Sequence, residues 1–483
     1  MTPTVGTAVL LVLAVGCALA AEPLTLGRQR QLFLDDYVVG CVEGLERVVN
    51  QPTRYADNPI ITGDHPWERR SVQLYGTVLY DEALSRFRMW YLCIPGGEAP
   101  VQVGDHLRVP YTTLTAYAES RDGFHWEKPT LGQVSFQGST VNNLLAIGRD
   151  NTEGIAILEE PRDPDPTRRF KALYWEHTVL PDGVLLDTSA HADGLWVSFS
   201  PDGLRWANHP GNPVIEVGSD TAQTVVYDPG LQRYVAFGRF GFGRRVARAE
   251  SPDFVHWTPP EPVLECDEAD GPNTQFYGIQ VDRYEGFYLG MLWVFREGGD
   301  GCIDTQLGVS RDGRHWERVA HRQTFLPLGE PGGWEDGMVR SVARIIPCGD
   351  TLFIYYCGVN GPHRPGVVRK SPPAIGVATL RRDGFVSLDA GPEQGVLVTK
   401  PLIVPPGRLE VNADAQGGLV VEVLDEAGTE LPGLSWRECR AVRGDACNHE
   451  VRWAHSDLTH RRGQAIRLRF VLRQAKLYSF WFG

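Results

Sequence analysis

Apolar and polar residues alternate in short runs through most of this chain, and helical spacing is rare because Pro and Gly interrupt it. The pattern predicts β-strands in hairpins. Tyr75 to Glu82 runs into a turn, and Arg86 to Tyr91 returns. The same unit recurs as Gly154–Leu158 with Phe170–Trp175, Gln223–Asp228 with Arg233–Phe237, Tyr277–Asp282 with Gly286–Leu289, and Val339–Ile346 with Leu352–Tyr356. A second element follows each hairpin. Ser120-Arg121-Asp122-Gly123-Phe124-His125-Trp126 is repeated as Ser200 to Trp206, Ser251 to Trp257 (with Phe254 in the Gly position) and Ser310 to Trp316, and more loosely as Arg381 to Phe385. Asp-Gly makes tight turns because Gly accepts a positive φ and Asp bonds to backbone nearby.

Five such units predict an all-β chain whose first part, residues 30–395, is a five-bladed β-propeller. The alternatives are a β-sandwich array or two separate β domains. After Asp389 the rhythm changes to longer alternating strands, Leu409–Ala413, Leu419–Leu424, Ile466–Leu472 and Leu477–Phe482. These predict a C-terminal β-sandwich over 400–483, with Pro401, Pro405 and Pro406 marking the junction.

The first twenty residues change the picture of location. Ala8–Val15 is apolar and Ala18-Leu19-Ala20 is a small-residue cleavage pattern, so residues 1–20 read as a signal peptide and the protein as exported, periplasmic or extracellular. Lipoprotein anchoring at Cys17 is the alternative. No later run is long enough for a transmembrane helix. The net charge of -13, without a Lys/Arg run, argues against nucleic acid as partner. No cysteines form a C-x-x-C pair, and Cys439 and Cys447 could be a disulfide or two thiols.

Asp57-Asn58-Pro59-Ile60, the stretch Tyr75 to Trp90, the Asp-Gly-x-x-Trp repeats and the terminal strands together resemble the five-bladed propeller glycoside hydrolases of the family 32 and family 43 type. The resemblance implies a glycan substrate in the central pocket and a set of carboxylates as catalysts. Its Arg-Asp-Pro and Glu-Cys motifs have literal counterparts in Arg162-Asp163-Pro164, Glu265-Cys266 and Glu438-Cys439, the first in an expected outer turn. Its Asn-Asp-Pro-Asn-Gly segment is reduced to Asp57-Asn58-Pro59. The Asp-Gly-x-x-Trp repeats are also similar to the Asp boxes of sialidases, which makes Asp122, Asp202, Asp253 and Asp312 turn-formers.

Glycosidic cleavage uses an acid and a base or nucleophile, both usually carboxylic. Carboxylates just ahead of each unit's first strand are Glu68, Glu153, Asp220, Asp270, and Glu335 with Asp336. Of these, Glu68, Asp220 and Asp336, with Glu335 as competitor to Asp336, are the catalytic candidates and are expected to converge. Trp67 and Trp334 are candidate sugar platforms that could also raise a neighbouring acid's pKa, which favours Glu68 or Glu335 as the acid and Asp220 or Asp336 as the ionised partner. Arg239 and Arg340, with Arg244 and Arg344, could bind an anionic sugar or hold carboxylates ionised; Asp270 and Glu153 complete the expected lining. His177, His191 and His363 lack metal-ligand spacing, so no metal or cofactor is expected, although the acidic loops would suit Ca²⁺. The rival readings are a non-catalytic carbohydrate-binding propeller and an interaction propeller.

Overall fold

The structure is a computed structural model that describes residues 22–96, 101–103, 106–108, 112–149, 151–177 and 194–483. The expected signal peptide and His191 lie outside these residues. The fold is all-β, and the only helices among the described residues are short 3-10 turns. The chain divides into two compact units, residues 48–386 and residues 1–47 with 387–483.

The larger unit holds five groups of strands. Sheet I is Ser71–Asp81, Arg86–Ile94, Leu114–Ser120 and Trp126–Glu127. Sheet II is Thr152–Glu159, Phe170–Glu176, Gly194–Ser200 and Ala207–Asn208. Sheet III is Thr224–Asp228, Arg233–Gly238, Val246–Ser251 and Glu261–Leu264. Group IV is Thr274–Tyr284, Phe287–Arg296, Ile303–Ser310 and two short outer strands, Glu317–Arg318 and Thr324–Leu326. Group V is Met338–Cys348, Thr351–Val359 and Ala374–Arg381, with Thr53–Arg54 from the start of the unit as its last strand. One parallel bridge, Ile303 with Met338, joins groups IV and V into a nine-stranded sheet. Every strand pair within a group is antiparallel, and the sequence-derived hairpins supply the first two strands of each.

The five first strands touch one another in a closed cycle, I to II to III to IV to V and back to I. Side chains stitch the seams. Ile157 N donates to Thr77 Oγ1 at 2.9 Å between I and II, and Thr224 Oγ1 donates to the Val281 carbonyl at 3.0 Å between III and IV. Arg344 Nη1 pairs with Asp282 at 3.1 Å between IV and V, and Arg340 donates to the Tyr75 hydroxyl and, at 3.0 Å, to Gln73 Oε1 between V and I. These bonds satisfy polar groups that close approach of two strand rows would otherwise strand away from water.

The Asp-Gly repeats have a second role that local chemistry alone does not announce. Within each of the four Trp-bearing turns the Asp carboxylate accepts two backbone N–H groups, as Asp312 Oδ1 does from Arg314 and His315 at 2.8 Å, and the Trp indole closes onto the turn carbonyl. Each turn also docks on the preceding group. Tyr355 Oη of group V donates to the Gly123 carbonyl at 3.0 Å, and Trp90 Nε1 of sheet I to the Gly203 carbonyl at 2.8 Å. Arg168 of sheet II donates to the Asp253 carbonyl at 2.8 Å. Arg314 reaches Glu250 of sheet III at 3.0 Å, and Tyr284 of group IV donates to Asp383 at 2.7 Å. The turns are therefore joints between neighbouring sheets.

A Cβ on Gly203 would sit 2.9 Å from the Trp90 ring and 3.0 Å from Arg88, at φ +74°. Gly203→Ala is expected to cost about 2–4 kcal/mol, from left-handed backbone strain plus overpacking. Gly132, at φ +70° with open space around its Cβ position, isolates the backbone part; Gly132→Ala should cost about 1 kcal/mol. Urea denaturation of both variants checks the difference.

In the smaller unit, Leu409–Leu424 is the spine. Its second half pairs with Ala465–Leu472 and its first half with Ala475–Phe482, the latter with a register shift between Asn412 and Ala413. Residues 30–47, read from the sequence as the start of the first unit, instead lie in this one. Gln31–Leu32 pairs with Ala475–Phe482, and Val39–Glu43 pairs with Gly395–Thr399. Phe33, Leu397, Val421, Phe470 and Phe480 form part of its core. Cys439 and Cys447 are both free thiols.

Candidate functional site

Four of the five first strands carry a register shift near their N-terminal ends, between Gln73 and Thr77, Glu153 and Ala156, Phe276 and Gly278, and Ser341 and Ile345. A bulge re-aims the side chains around it. Gly76 permits the first, since a Cβ there would overlap the Trp90 carbonyl. Gly154, at φ +67°, permits the second. The residues beside these shifts are Tyr75, Glu153, Tyr277 and Arg340, and they come together at the strand starts with Asp220, which precedes the first strand of sheet III.

Arg340 is buried, with its ring neighbours Tyr75, Tyr277 and Trp293 at 4.7, 5.9 and 5.9 Å from the guanidinium carbon. Tyr75 feels the charges of Arg340, Glu153 and Asp220 together, while burial drives its own hydroxyl well above its usual range. Glu153 Oε2 lies 3.5 Å from His177 Nε2, and His177 stacks on Trp175 at 3.9 Å. Asp220 Oδ2 lies 3.4 Å from Arg239, which also donates to the Gly243 carbonyl at 3.0 Å. The Asp220 side chain is 74% exposed. Its carboxyl is nevertheless raised, by desolvation first and by the negative charge of Glu153 second, against the pull of Arg239, Arg244 and His177. Both observations hold for a carboxylate that meets water inside a concavity walled by protein.

The other candidates are placed elsewhere. Glu68 is fully buried and consumed by local partners: Tyr91 Oη donates to it at 2.6 Å and Lys128 Nζ at 2.8 Å. Burial raises its carboxyl against Lys128. Trp67 beside it donates to Asn143 Oδ1 at 2.9 Å and stacks on His65, leaving it in the wall. Glu335 pairs with Arg54 at 2.7 Å, and Trp334 stacks on Tyr356 within group V. Asp336 accepts from Gly332 N, Asn360 Nδ2 and Gly361 N at 2.7 to 2.9 Å, tying two loops together. Asp270 holds Arg318 and Arg322, each at 3.0 Å. No interaction among the described residues links Glu68 or Asp336 to Asp220. Of the strand-entry carboxylates, Glu68, Asp270, Glu335 and Asp336 are held by partners within their own surroundings, and only Glu153 and Asp220 join the central group.

The motif matches divide similarly. Asp163 is bound by Lys171 in an outer turn, and Glu265 is an exposed partner of Arg245 at 3.1 Å. Asp64, His65 and Glu68 are near enough to one another to share a cation, but Lys128 bonds both carboxylates and already supplies the positive charge.

Gln73, Tyr75, Gln275 and Tyr277 escaped the sequence reading. Their signal is the repeat Gln73-Leu74-Tyr75-Gly76 and Gln275-Phe276-Tyr277-Gly278, a Gly inside a strand where the backbone approaches closely. Glu68→Gln is expected to cost about 1–3 kcal/mol of stability, because the ammonium loses a charged acceptor in a buried place. Its turnover per folded molecule should stay within about twofold of the parent, as expected for a residue that does not touch substrate. Thermal melts and active-site-normalised rates separate the two.

No family model matches the chain, and no curated protein matches it. Among solved structures it is similar to a glycosyl hydrolase from Bacteroides ovatus, at 14% identity over 69% of this chain and 94% of that one, with a TM-score of 0.46. It is similar to the β-1,2-mannobiose phosphorylase from Listeria innocua, at 15% identity over 68% and 96%, with a TM-score of 0.46. A third is a structure described under "The GH130 family of mannoside phosphorylases contains glycoside hydrolases that target beta-1,2 mannosidic linkages in Candida mannan", at 14% identity over 69% and 94%, TM-score 0.44. These neighbours are glycoside hydrolase-like and mannoside phosphorylase proteins, and none of the three is named as family 32 or family 43.

Proposed function

We propose that this protein is an exported glycoside hydrolase, built as a five-bladed propeller with a C-terminal sandwich, and that its site is the cluster at the starts of the five first strands. The observation that carries the reading is the meeting of Glu153 and Asp220 beside Tyr75, Tyr277 and Arg340, where each of the five strand groups contributes a residue at or just before the start of its first strand. A funnel of this kind takes a sugar against aromatic faces and offers two carboxyl groups to a glycosidic bond.

The two carboxyls are differentiated by their surroundings. Asp220, raised by desolvation and by Glu153, holds a proton to higher pH than an ordinary Asp and is the general acid that protonates the leaving oxygen. Glu153, beside His177, is the base or nucleophile. This exchanges the roles expected from the tryptophans: Glu68 is bound on its two oxygens by Tyr91 and Lys128, and Glu335 is buried and paired with Arg54.

A hydrolysis screen of the purified chain against plant, algal and fungal glycans tests the proposal, with the double variant Glu153→Gln and Asp220→Asn as background. Release of reducing ends by the parent and its loss in the double variant are expected. Hydrolysis that survives in the double variant would move the site elsewhere. A parent inactive on every glycan, yet binding one, would make the site a carbohydrate-binding one.

A further inference from the structure

The central cluster is lopsided in charge. On the side of Tyr277 and Phe295 stand three guanidiniums. Arg244 lies over both rings at 5.5 and 4.9 Å, Arg340 lies 5.9 Å from Tyr277, and Arg369 is close enough for its charge to act with that of Arg340. The only carboxylate paired with any of them among the described residues is Glu297, 3.7 Å from Arg244 and half exposed. Arg340 is 4% exposed and, among the described residues, donates only to Tyr75, Gln73 and Cys357 and leaves its Nε without a partner. Arg369 donates to the carbonyls of Asn360 and Gly361 at 2.7 and 3.2 Å and meets no carboxylate among the described residues. In a chain with net charge -13, a buried and half-buried arginine group short of acids is a costly arrangement for folding alone. An anionic ligand removes the cost.

His363 stands in the same place, edge-on to Tyr277 at 4.9 Å and to Phe295 at 5.2 Å. Burial first, and then Arg244, Arg340 and Arg369, push its imidazole down to about 4. It is neutral at pH 7 and brings a hydrogen-bonding nitrogen, not charge. Across Tyr75 stand Glu153 and Asp220. Their field opposes a dianion more than a monoanion, and the aromatic rings between the two poles suit the body of a sugar.

Resting on the glycan reading above, we propose that the substrate is a carboxylate-bearing glycan: Arg244 and Arg369 take the carboxylate of a uronate unit, in the field of Arg340, while its linkage faces Glu153 and Asp220. The cluster is thus a specificity device as well as a site of cleavage.

Calorimetric titration of the full chain with glucuronate, galacturonate and oligogalacturonides, against glucose, galactose and inorganic phosphate, tests this. Uronates should bind at least about tenfold more tightly than the matched neutral sugars, the scale of one charge-assisted hydrogen-bond pair. Arg244→Met and Arg369→Met should each remove about that factor, with melting curves near the parent's because both side chains are partly exposed. Added NaCl should weaken uronate binding and spare neutral sugars. Equal affinity for neutral sugars, or uronate binding indifferent to both arginines, overturns the proposal and leaves the glycan reading standing. Arginine-dependent binding of phosphate without uronate binding also overturns it, and makes phosphate the ligand. If no sugar of either kind binds the folded protein, both readings fall.

Discussion

Asp220→Asn should lower kcat by about 10²–10⁴-fold and remove the alkaline limb of the pH–rate profile. An acid must be protonated to act, so activity governed by Asp220 is full below its pKa and lost as pH rises through it. That pKa lies above the ordinary Asp value, because desolvation and the charge of Glu153 both favour the neutral form. The amide keeps the shape and still offers an oxygen to Arg239, but it has no proton to give. Folding should be spared, since the side chain is largely exposed and its one paired contact is at 3.4 Å. Asp336→Asn is the comparison. That carboxylate accepts two backbone N–H groups and the Asn360 amide, so its loss should loosen a loop and leave the alkaline limb in place. A profile unchanged in shape in Asp220→Asn, with kcat down by less than about tenfold, would remove Asp220 from the chemistry.

Asp81→Ala should destabilise the larger unit by about 3–5 kcal/mol, because it strands a buried guanidinium. Arg88 and Asp81 are 3% and 2% exposed and 3.1 Å apart. Arg88 also donates to Tyr117 Oη at 3.0 Å and to the Asp202 carbonyl, so one charge serves the strand pair and the joint to the next sheet. Removing both charges together, as Arg88→Met with Asp81→Leu, should cost less than Asp81→Ala alone, since no uncompensated ion then remains. Urea midpoints of the single and double variants decide it. A loss below about 1 kcal/mol in Asp81→Ala would mean that water reaches Arg88 in the folded state. Because the pair lies away from Glu153 and Asp220, specific activity of the folded fraction should be unaffected.

The extent to which the chain could be read in advance follows from the reach of each interaction. The hairpins were legible because a strand's period is set by its own residues, and the Asp-Gly turns because Asp312 bonds backbone only two and three residues ahead. What those turns dock against was not legible: Gly123 meets Tyr355, 232 residues away. The same limit governed the carboxylates. Glu68 and Glu153 look alike in sequence, each beside a first strand. Glu68 is claimed by Lys128, 60 residues on, and drawn into the wall. Glu153 is turned by the bulge at Gly154 to a place where Tyr75 senses its charge together with those of Asp220 and Arg340.

By itself, the sequence determined the strands, the five-fold repeat and the turn chemistry, all of which depend on neighbours within a few residues. Only the tertiary structure decided that residues 30–47 join the last strands of the chain, and that Thr53–Arg54 completes group V. It also decided which acids gather around Tyr75 and which are neutralised by distant lysines, arginines and amides. Pairing of strand edges and of charges depends on which distant groups come within a few ångströms, and strand period and turn propensity carry no information about that distance.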